Sequence, residues 1–433
     1  AWRSGDVKGA WYMIEYAANS AFCVGVKVQP NSFCSWEYKG DTIIFTADVK
    51  NGSDGVLLDG RTLLAAELAE AEVCGTPDEC AAQFCSMMCA NPQKLAKPVY
   101  GGNDWYCNYG NNSHEKIIRH AERIAECAPV GDNRPYMVVD DGWELCHCDD
   151  GVPEHFYNGG PWAYCNRNFD GMQKLAEDMK KIGVIPGIWY RPLMTLEKLD
   201  DEYILRRDGL ENILDISQKC VLDLVKEDIS RFANWGYGLI KHDFSSWDLF
   251  GKWGFEMPGE VVPNDCAFHD KSRTNAEIIK AFYMAIKEAA GDTLIVGCNT
   301  FSHLSAGIFD LQRTGDDTSG REWERTRKMG INTLAMRMHQ HNIFYDVDAD
   351  CVGITNSVPW EKNKQWLDVL SKSGTPLFVS IADDAYSSEV KNAIKIAFEL
   401  AAQNRATSIA LIEKDKLTPD TWKSTEGTDI YKW

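Results

Sequence analysis

The chain has 433 residues, of which 44% are hydrophobic and 25% are charged, and its formal net charge is -19. One compact core rarely holds so many residues, so we expect one large domain with a smaller appendage. The acidic balance repels phosphate groups and argues against nucleic acid or a membrane surface as the main partner, and no apolar run approaches the ~18 residues that a membrane-spanning helix needs.

The first 95 residues are β-rich. Short β-type runs at 22–28 and 42–49 are followed by Asn-Gly and Asp-Gly turn signals at 51–55, which predicts part of a β-sandwich. The chain opens without an initiating Met or a basic and apolar leader. We therefore expect a signal peptide to be either absent or already removed.

From 96 to 405, short apolar strands alternate with amphipathic helices, which is typical of repeated parallel β/α units. Eight strands are predicted, at 99–105, 136–140, 185–190, 239–243, 293–298, 308–313, 343–346 and 376–380. Helices are predicted at 115–127, 172–182, 274–290, 322–339, 362–373 and 388–403. Eight units favour an α/β fold of the closed (β/α)8 barrel type over an open doubly wound sheet, and no Gly-x-Gly-x-x-Gly follows any strand.

Residues 406–433 form a short, turn-rich tail with one predicted strand at 408–412, which indicates the start of a further β-rich unit. The 15 cysteines are scattered through predicted core elements, which favours a reducing, cytoplasmic compartment. A processed secreted or periplasmic form is the alternative. The spacing of Cys74, Cys80, Cys85 and Cys89 matches no common zinc pair, so we interpret them, like Cys146 and Cys148, as buried thiols and predict no metal or cofactor.

The carboxyl ends of the predicted strands carry acidic and aromatic side chains. Together with neighbouring polar and basic residues, the candidates are, in chain order, Trp105, Asp140, Asp141, Trp143, Trp189, Lys241, Asp243, Cys298, Asn299, Arg313, Asp316 and Asp317. Barrel enzymes build their sites at this edge, and charged groups are costly to bury unless they pair or serve a ligand. A pyranose ring needs hydrogen-bonding groups for its hydroxyls and a flat apolar surface for its C–H face, which these residue types supply together.

Each of these residues also has a structural interpretation. A lone Asp at a strand end often caps the next helix, the tryptophans suit barrel packing, and Lys241 suits an ion pair with Asp243 or Asp140. We interpret the histidines at 303, 339 and 341 as core or rim residues instead of a metal set, because no spacing supports one. The alternating Asp residues at 346, 348 and 350 lack the Gly and Glu of a calcium loop and are expected on the rim of strand seven.

Two motifs are the most specific: Leu-Ile-Lys-His-Asp-Phe at 239–244 and Arg-Thr-Gly-Asp-Asp-Thr at 313–318. They resemble the retaining α-galactosidases of glycoside hydrolase clan D, closer to family 36 than to family 27, and the resemblance covers about 98–405. It implies that Asp243 is the nucleophile. It also implies that Asp317, four residues after Arg313, is the acid/base, with Asp316 as the lesser candidate.

The same resemblance implies the sugar-binding residues. Asp140 and Asp141 match an acidic pair that holds the 4- and 6-hydroxyls, Trp189 matches a strand-three segment, Lys241 and Arg313 hold ring hydroxyls, and Cys298 and Asn299 lie near the 2-position. The residue types themselves, apart from the resemblance, make Trp105 and Trp189 candidate surfaces for stacking on the sugar. One departure is Arg191, where members of the family often have a Glu, and this leaves the exact glycone or aglycone open. Relatives carry larger flanking β domains, which suggests a divergent member or a truncated product.

The expected function is retaining hydrolysis of α-linked galactosides, with an oligosaccharide or α-galactoside as partner. We expect Lys241 to keep Asp243 ionised and repulsion from Asp316 to hold a proton on Asp317. The alternatives are a raffinose-synthase-like transglycosidase and a non-catalytic carbohydrate-binding barrel, although a binder needs no such pair. Galactose, N-acetylgalactosamine or a pentose as glycone, the linkage and the oligomeric state stay open.

Overall fold

The computed structural model describes residues 7–147, 158–207, 212–254, 262, 265–403, 408–412, 416–424 and 427–433. The chain begins with six strands and a helix: β1 (Val7–Ala10), β2 (Tyr12–Ala17), β3 (Ser20–Val26), β4 (Phe33–Lys39), β5 (Thr42–Asp48), β6 (Leu68–Cys74) and α1 (Pro77–Met88). The strands form two antiparallel sheets in the orders β1-β4-β5 and β2-β3-β6. The predicted β-rich segment and its turn, where Asn51 bridges to Asp54, are therefore present.

Helix α1 was not predicted. Its start signal is a capping box in which the Thr76 side chain accepts from the Glu79 backbone N–H while the Glu79 carboxylate accepts from the Thr76 N–H, with Pro77 at the first helical position. Its inner face buries Phe84 and Met88 in the core. The helix was missed because the whole segment was predicted to be β-rich.

The central sheet is parallel and contains β7 (Tyr100–Asn103), β8 (Tyr136–Val139), β9 (Ile185–Tyr190), β10 (Leu239–His242), β11 (Leu294–Gly297), β12 (Leu311–Arg313), β13 (Asp346–Asp348), β14 (Val352–Ile354) and β15 (Leu377–Ile381). Its order is β13-β12-β11-β10-β9-β8-β7-β15-β14. The two edges, β13 and β14, are successive pieces of one strand joined through 349–351. The sheet thus closes through a divided seventh strand, and the predicted (β/α)8 barrel is confirmed.

The predicted seventh strand at 343–346 was placed too early. Ile343 and Phe344 lie in a turn whose N–H groups donate to the carbonyl of Gln340. The strand begins at Asp346 and is interrupted at Asp350, which has a left-handed backbone with φ +73°. Phe344 and Tyr345, just before the strand, are as buried as the strand itself, so hydrophobicity alone does not separate the turn from the strand.

The helices around the barrel are α2 (Trp105–Asn108), α3 (His114–Cys127), α4 (Met172–Ile182), α5 (Lys219–Trp235), α6 (Ser245–Phe250), α7 (Asn275–Ala290), α8 (Ser302–Ser305), α9 (Trp323–Thr326), α10 (Asn332–Arg337), α11 (Trp360–Ser373) and α12 (Ser388–Gln403). The helix predicted at 322–339 is interrupted between α9 and α10 by a π-helical turn, Arg327–Ile331. Among the described residues, no helix is both long and apolar enough to cross a bilayer.

The tail contains a small antiparallel sheet of β16 (Ile409–Ala410), β17 (Thr421–Ser424) and β18 (Gly427–Ile430). Trp422 of β17 is fully buried. The cysteines that the structure describes are free thiols; Cys80, Cys85 and Cys89 are buried as expected, whereas Cys74 is exposed, contrary to the prediction. Cys148 lies outside the described residues.

Candidate active site

The carboxyl ends of β8 to β12 bring most of the predicted residues to one rim of the barrel. Asp140 and Asp141 follow β8, Trp189 lies in β9, and Asp243 follows β10. The remaining residues are Cys298 and Asn299 after β11, Arg313 at the end of β12, and Asp316 and Asp317 in the next loop. Cα partners across β9 and β10 place Trp189 beside Lys241. This rim is where a (β/α)8 barrel positions its ligands.

Asp243 is buried and fully engaged by hydrogen bonds. Its Oδ1 accepts from the backbone N–H of Phe244 and from Asn299 Nδ2, both at 2.7 Å, and its Oδ2 accepts from Trp189 Nε1 at 3.0 Å. Burial alone would raise the pKa of Asp243, but the charge of Lys241 and these hydrogen bonds outweigh it and lower the pKa below its ordinary value. The carboxylate is therefore held ionised and in one orientation.

The direct partner of Lys241 is Asp140. Lys241 Nζ donates to Asp140 Oδ2 at 2.7 Å, and Asn103 Nδ2 donates to the same oxygen at 2.5 Å. Burial opposes the charge of Lys241, but Asp140 outweighs it and raises the pKa of the ammonium well above its usual range. The lysine stays charged, and its field reaches Asp243 without a direct contact to it.

Asp317 has the opposite electrostatic environment. Arg313 Nη1 donates to Asp317 Oδ1 at 3.1 Å, while Nη2 of the same guanidinium lies 3.0 Å from Asp350 Oδ1. Burial, followed by the negative charge of Asp350, raises the pKa of Asp317 to about 6 against the opposing charges of Arg313 and Lys241. About 36% of the Asp317 side chain is still exposed, so this carboxyl group is accessible from solvent.

Asp316 points elsewhere. Its Oδ2 accepts from Arg325 Nη2 at 2.5 Å, and Arg325 Nε donates to the Asp317 carbonyl at 2.9 Å. The expected cause of the raised Asp317 pKa, repulsion by Asp316, was wrong, because burial and Asp350 are its causes. Sequence proximity does not show where two adjacent side chains point.

Arg191 belongs to a buried network that the sequence did not reveal. Its guanidinium donates to Asp248 through Nε at 3.0 Å and Nη2 at 2.5 Å, and it also donates to Asn158 Oδ1. Asn158 in turn donates to Asp141 Oδ2 at 2.9 Å. The guanidinium carbon lies 4.1 Å from the centroid of the Phe244 ring. Arg191 is thus neutralised by the buried Asp248. It is linked to the rim through Asn158, which binds Asp141, and through its contact with the Phe244 ring.

The tryptophans occupy different environments. Trp189 is only 1% exposed, and its Nε1 is committed to Asp243. Trp143 is fully buried and donates to the Trp189 carbonyl at 3.0 Å, as expected for barrel packing. Trp105 is partly exposed and packs against Tyr109, with ring centroids 5.5 Å apart. Of the three rings, Trp105 alone is partly exposed.

Sequence reasoning underestimated Asp350. Besides Arg313, its carboxylate accepts from the Tyr106 hydroxyl, from the Thr318 N–H at 2.8 Å and from Thr318 Oγ1 at 3.0 Å. Asp348 lies 3.4 Å from Arg313 Nε. The alternating Asp residues in strand seven were the sequence signal for this role. The role itself depends on Arg313, which contacts them from strand six and whose position the sequence did not show.

The histidines have structural contacts. His303 stacks on Trp11 with ring centroids 5.0 Å apart, and its Nε2 lies 2.7 Å from the Val26 carbonyl. His339 contacts the Tyr12 hydroxyl at 2.8 Å, and His341 accepts from the Val347 N–H at 3.2 Å. These partners agree with the interpretation of all three as core or rim residues.

No family model matches the sequence. The α-galactosidase TtGalA from Thermus thermophilus, solved with p-nitrophenyl α-D-galactopyranoside, has a TM-score of 0.65 at 17% identity, covering 98% of this chain and 81% of that one. The family 36 α-galactosidase AgaA from Geobacillus stearothermophilus has a TM-score of 0.62 at 13% identity, covering 97% of this chain and 61% of that one. This chain has the fold of the family 36 α-galactosidases.

A family 27 β-L-arabinopyranosidase from Geobacillus stearothermophilus matches more weakly, with a TM-score of 0.55 at 15% identity over 76% of this chain and 82% of that one. The resemblance to clan D, closer to family 36 than to family 27, is therefore confirmed at the level of the fold. Because one fold hosts many activities, the function has to be argued from the site.

Proposed function

We propose that the chain hydrolyses α-linked galactosides with retention of configuration, with Asp243 as nucleophile and Asp317 as acid/base. The observation that carries the proposal is the contrast between these carboxyl groups: the pKa of Asp243 is lowered, whereas that of Asp317 is raised to about 6. A retaining glycosidase needs one carboxylate ionised and one carboxylic acid protonated at the same pH. This rim meets that requirement.

In the first step, an oxygen of Asp243 bonds to the anomeric carbon while Asp317 gives its proton to the departing glycosidic oxygen. We assign the attack to Oδ2, which accepts one hydrogen bond, because Oδ1 accepts two. In the second step, the ionised Asp317 takes a proton from water, and the water oxygen displaces Asp243 from the sugar. Two inversions at one carbon give net retention.

We propose that the remaining rim residues bind the sugar. Asp140 and Asp141 would accept hydrogen bonds from hydroxyls, Lys241 and Arg313 would donate to them, Cys298 and Asn299 would lie near the 2-position, and Trp105 would stack on the C–H face. Trp189 acts through its hydrogen bond to Asp243 and not by stacking, because it is buried. Asp316 is the weaker acid/base candidate because Arg325 neutralises it.

The test is hydrolysis of a panel of nitrophenyl α-glycosides by the wild type and by Asp243→Gly. We expect one glycone to be released by the wild type, and a loss of roughly 10⁴-fold or more in the variant. Added azide should restore release of nitrophenol and yield a β-configured sugar azide, because azide occupies the space of the missing nucleophile. The matched control is Asp178→Asn in α4, a partly buried carboxylate whose partners Lys174 and Lys181 lie outside the rim, and it should have wild-type activity.

Other results would favour the alternatives. A protein that binds galactose but cleaves nothing on the panel is a carbohydrate-binding barrel. Formation of a longer oligosaccharide in place of free sugar, when a disaccharide is added, identifies a transglycosidase with the same first step. A sugar azide of α configuration would contradict the assignment of Asp243.

A further inference from the structure

A cavity of about 990 Å³ lies between the amino-terminal strands and the barrel. Its described walls include β1 and β2 on one side and α10 on the other. Two of its residues, Ile43 and Met336, are 38% and 37% exposed, so the cavity opens to solvent beside them. No candidate residue of the rim lines it, and ligand pockets commonly have volumes of roughly 300 to 1,000 Å³. The cavity is therefore a space of ligand size that is separate from the candidate active site.

Arg337 lies in the wall of this cavity without an anionic partner among the described residues. Its Nε donates to Gln340 Oε1 at 2.6 Å, and its Nη2 donates to the Tyr345 hydroxyl at 3.0 Å and to Ser302 Oγ at 3.5 Å. These acceptors are neutral, and Nη1 donates to no described residue. The C-terminal end of α10, where Arg337 lies, offsets only about half a unit charge. Because a guanidinium is always charged, excess positive charge remains in the wall.

The acidic residues of the cavity do not supply the missing negative charge. Glu15 and Asp78 line the cavity, but neither forms an ion pair with Arg337. Asp78 lies in the first turn of α1, where the amino end of the helix stabilises a carboxylate, and Glu15 is exposed on β2. Lys8, which also lines the cavity, adds a further positive charge. An anionic group on a ligand would therefore find its partner at Arg337.

The wall also offers a second polar group and several aromatic rings. Asn332 Oδ1 is buried and accepts no hydrogen bond from a described residue. Asn332 and Arg337 both lie in α10, and five residues of helix separate their Cα atoms by about 7.5 Å along the helix axis. The strands contribute the rings of Tyr12, Tyr16 and Phe22. These groups together suit a ligand with an acidic group, a hydrogen-bond donor and a flat apolar body.

We propose that this cavity binds a small aromatic carboxylate that also carries a hydroxyl. The carboxylate would accept from Arg337 Nη1, the hydroxyl would donate to Asn332 Oδ1, and the ring would pack against the aromatic side chains of the wall. Hydrogen bonds between a guanidinium and a carboxylate are charge-assisted and therefore strong. Thr314 and Gly315 also line the cavity, so an occupant would lie beside the loop that carries Asp317. The inference does not rest on the proposed function, because binding is measured without any sugar.

The experiment is a fluorescence titration of the full chain with 8-anilinonaphthalene-1-sulfonate, an aromatic anion whose emission rises in apolar cavities. We expect one strongly bound probe per chain, and displacement of this probe by 4-hydroxycinnamate. The methyl ester of this acid has the same ring and hydroxyl but no charge. It should displace the probe at least ~10-fold less well, because it lacks the charge-assisted hydrogen bond. Equal displacement by the acid and the ester, or no stoichiometric binding by the wild type, overturns the proposal.

Arg337→Met keeps most of the side-chain length but removes the charge. It should weaken displacement by the acid at least ~10-fold and leave displacement by the ester unchanged, whereas Arg337→Lys should keep part of the preference for the acid. The matched control is Arg119→Met on α3, because 41% of the Arg119 side chain is exposed and it does not line the cavity. An unchanged preference for the acid in folded Arg337→Met overturns the proposal as well. If that variant unfolds, Arg337→Lys and the comparison of acid and ester in the wild type decide.

Discussion

Arg313 connects Asp348 and Asp350 of the seventh strand to Asp317, the proposed acid/base. It lies between Asp317 on one side and Asp348 and Asp350 on the other. One guanidinium cannot neutralise three carboxylates, so excess negative charge remains beside Asp317. This excess adds to the effect of burial in keeping a proton on Asp317 near neutral pH.

A change at Asp350 should therefore alter the pH dependence of activity. As the proposed acid, Asp317 would act when protonated, so activity is expected below its pKa of about 6 and should be lost as the pH rises through it. The acidic limb is then expected from Asp243, the proposed nucleophile, whose pKa is lowered. In Asp350→Asn one repelling charge is removed and Arg313 is released toward Asp317, so the basic limb should move to lower pH. A displacement of about one pH unit costs about tenfold in kcat/KM on the basic side.

The measurement is the pH profile of kcat/KM for wild type, Asp350→Asn and the control variant Asp178→Asn. An unmoved basic limb in a folded Asp350→Asn enzyme would show that Asp350 does not control the acid/base.

The pair of Arg191 and Asp248 makes a prediction about stability. Arg191→Met leaves Asp248 buried and unpaired, which costs roughly 3–5 kcal/mol in the free energy of unfolding. The double variant Arg191→Met with Asp248→Leu should recover most of this loss, because no charge then remains buried. Urea unfolding of both single variants and the double variant gives the coupling energy.

The control for that cycle is Lys219→Met. Lys219 pairs with Asp223 on α5, but 86% of the Lys219 side chain is exposed, so its loss should change the free energy of unfolding by less than about 1 kcal/mol. A coupling energy near zero for Arg191 and Asp248 would contradict the prediction that each buried charge is stabilised by the other.

Among the helices and strands, the periodicity of apolar residues predicted the bounds correctly where the chain is regular. The helix at Met172–Ile182 and the strand at Ile185–Tyr190 have the predicted bounds because apolar spacing and a terminal glycine define them. The displaced seventh strand has another cause, because tertiary contacts decide whether a buried apolar run is strand or turn. Helix α1, in contrast, had a local signal in its capping box that was missed. For the site, the polar residues at strand ends correctly indicated the rim. The partners of its arginines, Asp248 and Asp350, could not be assigned from the sequence, because only the fold brings their elements together.

The π-helical turn, Arg327–Ile331, supports the loop that carries Asp317. A Cβ on Gly315 would lie 2.3 Å from the carbonyl oxygen of Met329 in this turn, so one of the two backbones would have to shift. Gly315→Ala should therefore displace Asp317, and a shift of about 1 Å costs roughly 10²-fold in rate. Steady-state kinetics should show the loss in kcat more than in KM.

Gly55→Ala is the matched control for this substitution, because a Cβ there meets nothing within 4 Å. Wild-type kcat in a folded Gly315→Ala protein would mean that the loop adapts and that the π-helical turn does not set the position of Asp317.

In the molecule as a whole, the amino-terminal β-rich segment is joined to the barrel by hydrogen bonds and by a shared core. Asn51 Nδ2 donates to the carbonyls of Asp270 and Arg273, both at 2.7 Å, and Lys280 Nζ donates to the Gln29 carbonyl at 2.8 Å. Apolar residues of both parts belong to one continuous core. The two parts are therefore expected to unfold together.

Trp11 provides the sharpest test of this coupling. It is 7% exposed, stacks on His303 of the barrel, and accepts through its carbonyl from Trp36 Nε1 at 3.0 Å. Trp11→Ala should lower the free energy of unfolding by roughly 3–5 kcal/mol through the cavity that it creates. Activity per folded molecule should be unchanged, because Trp11 does not belong to the rim. Urea unfolding followed by tryptophan fluorescence and by loss of activity should give coincident transitions in wild type and variant; an early fluorescence transition with activity retained would mean that the sheets open while the barrel stays folded.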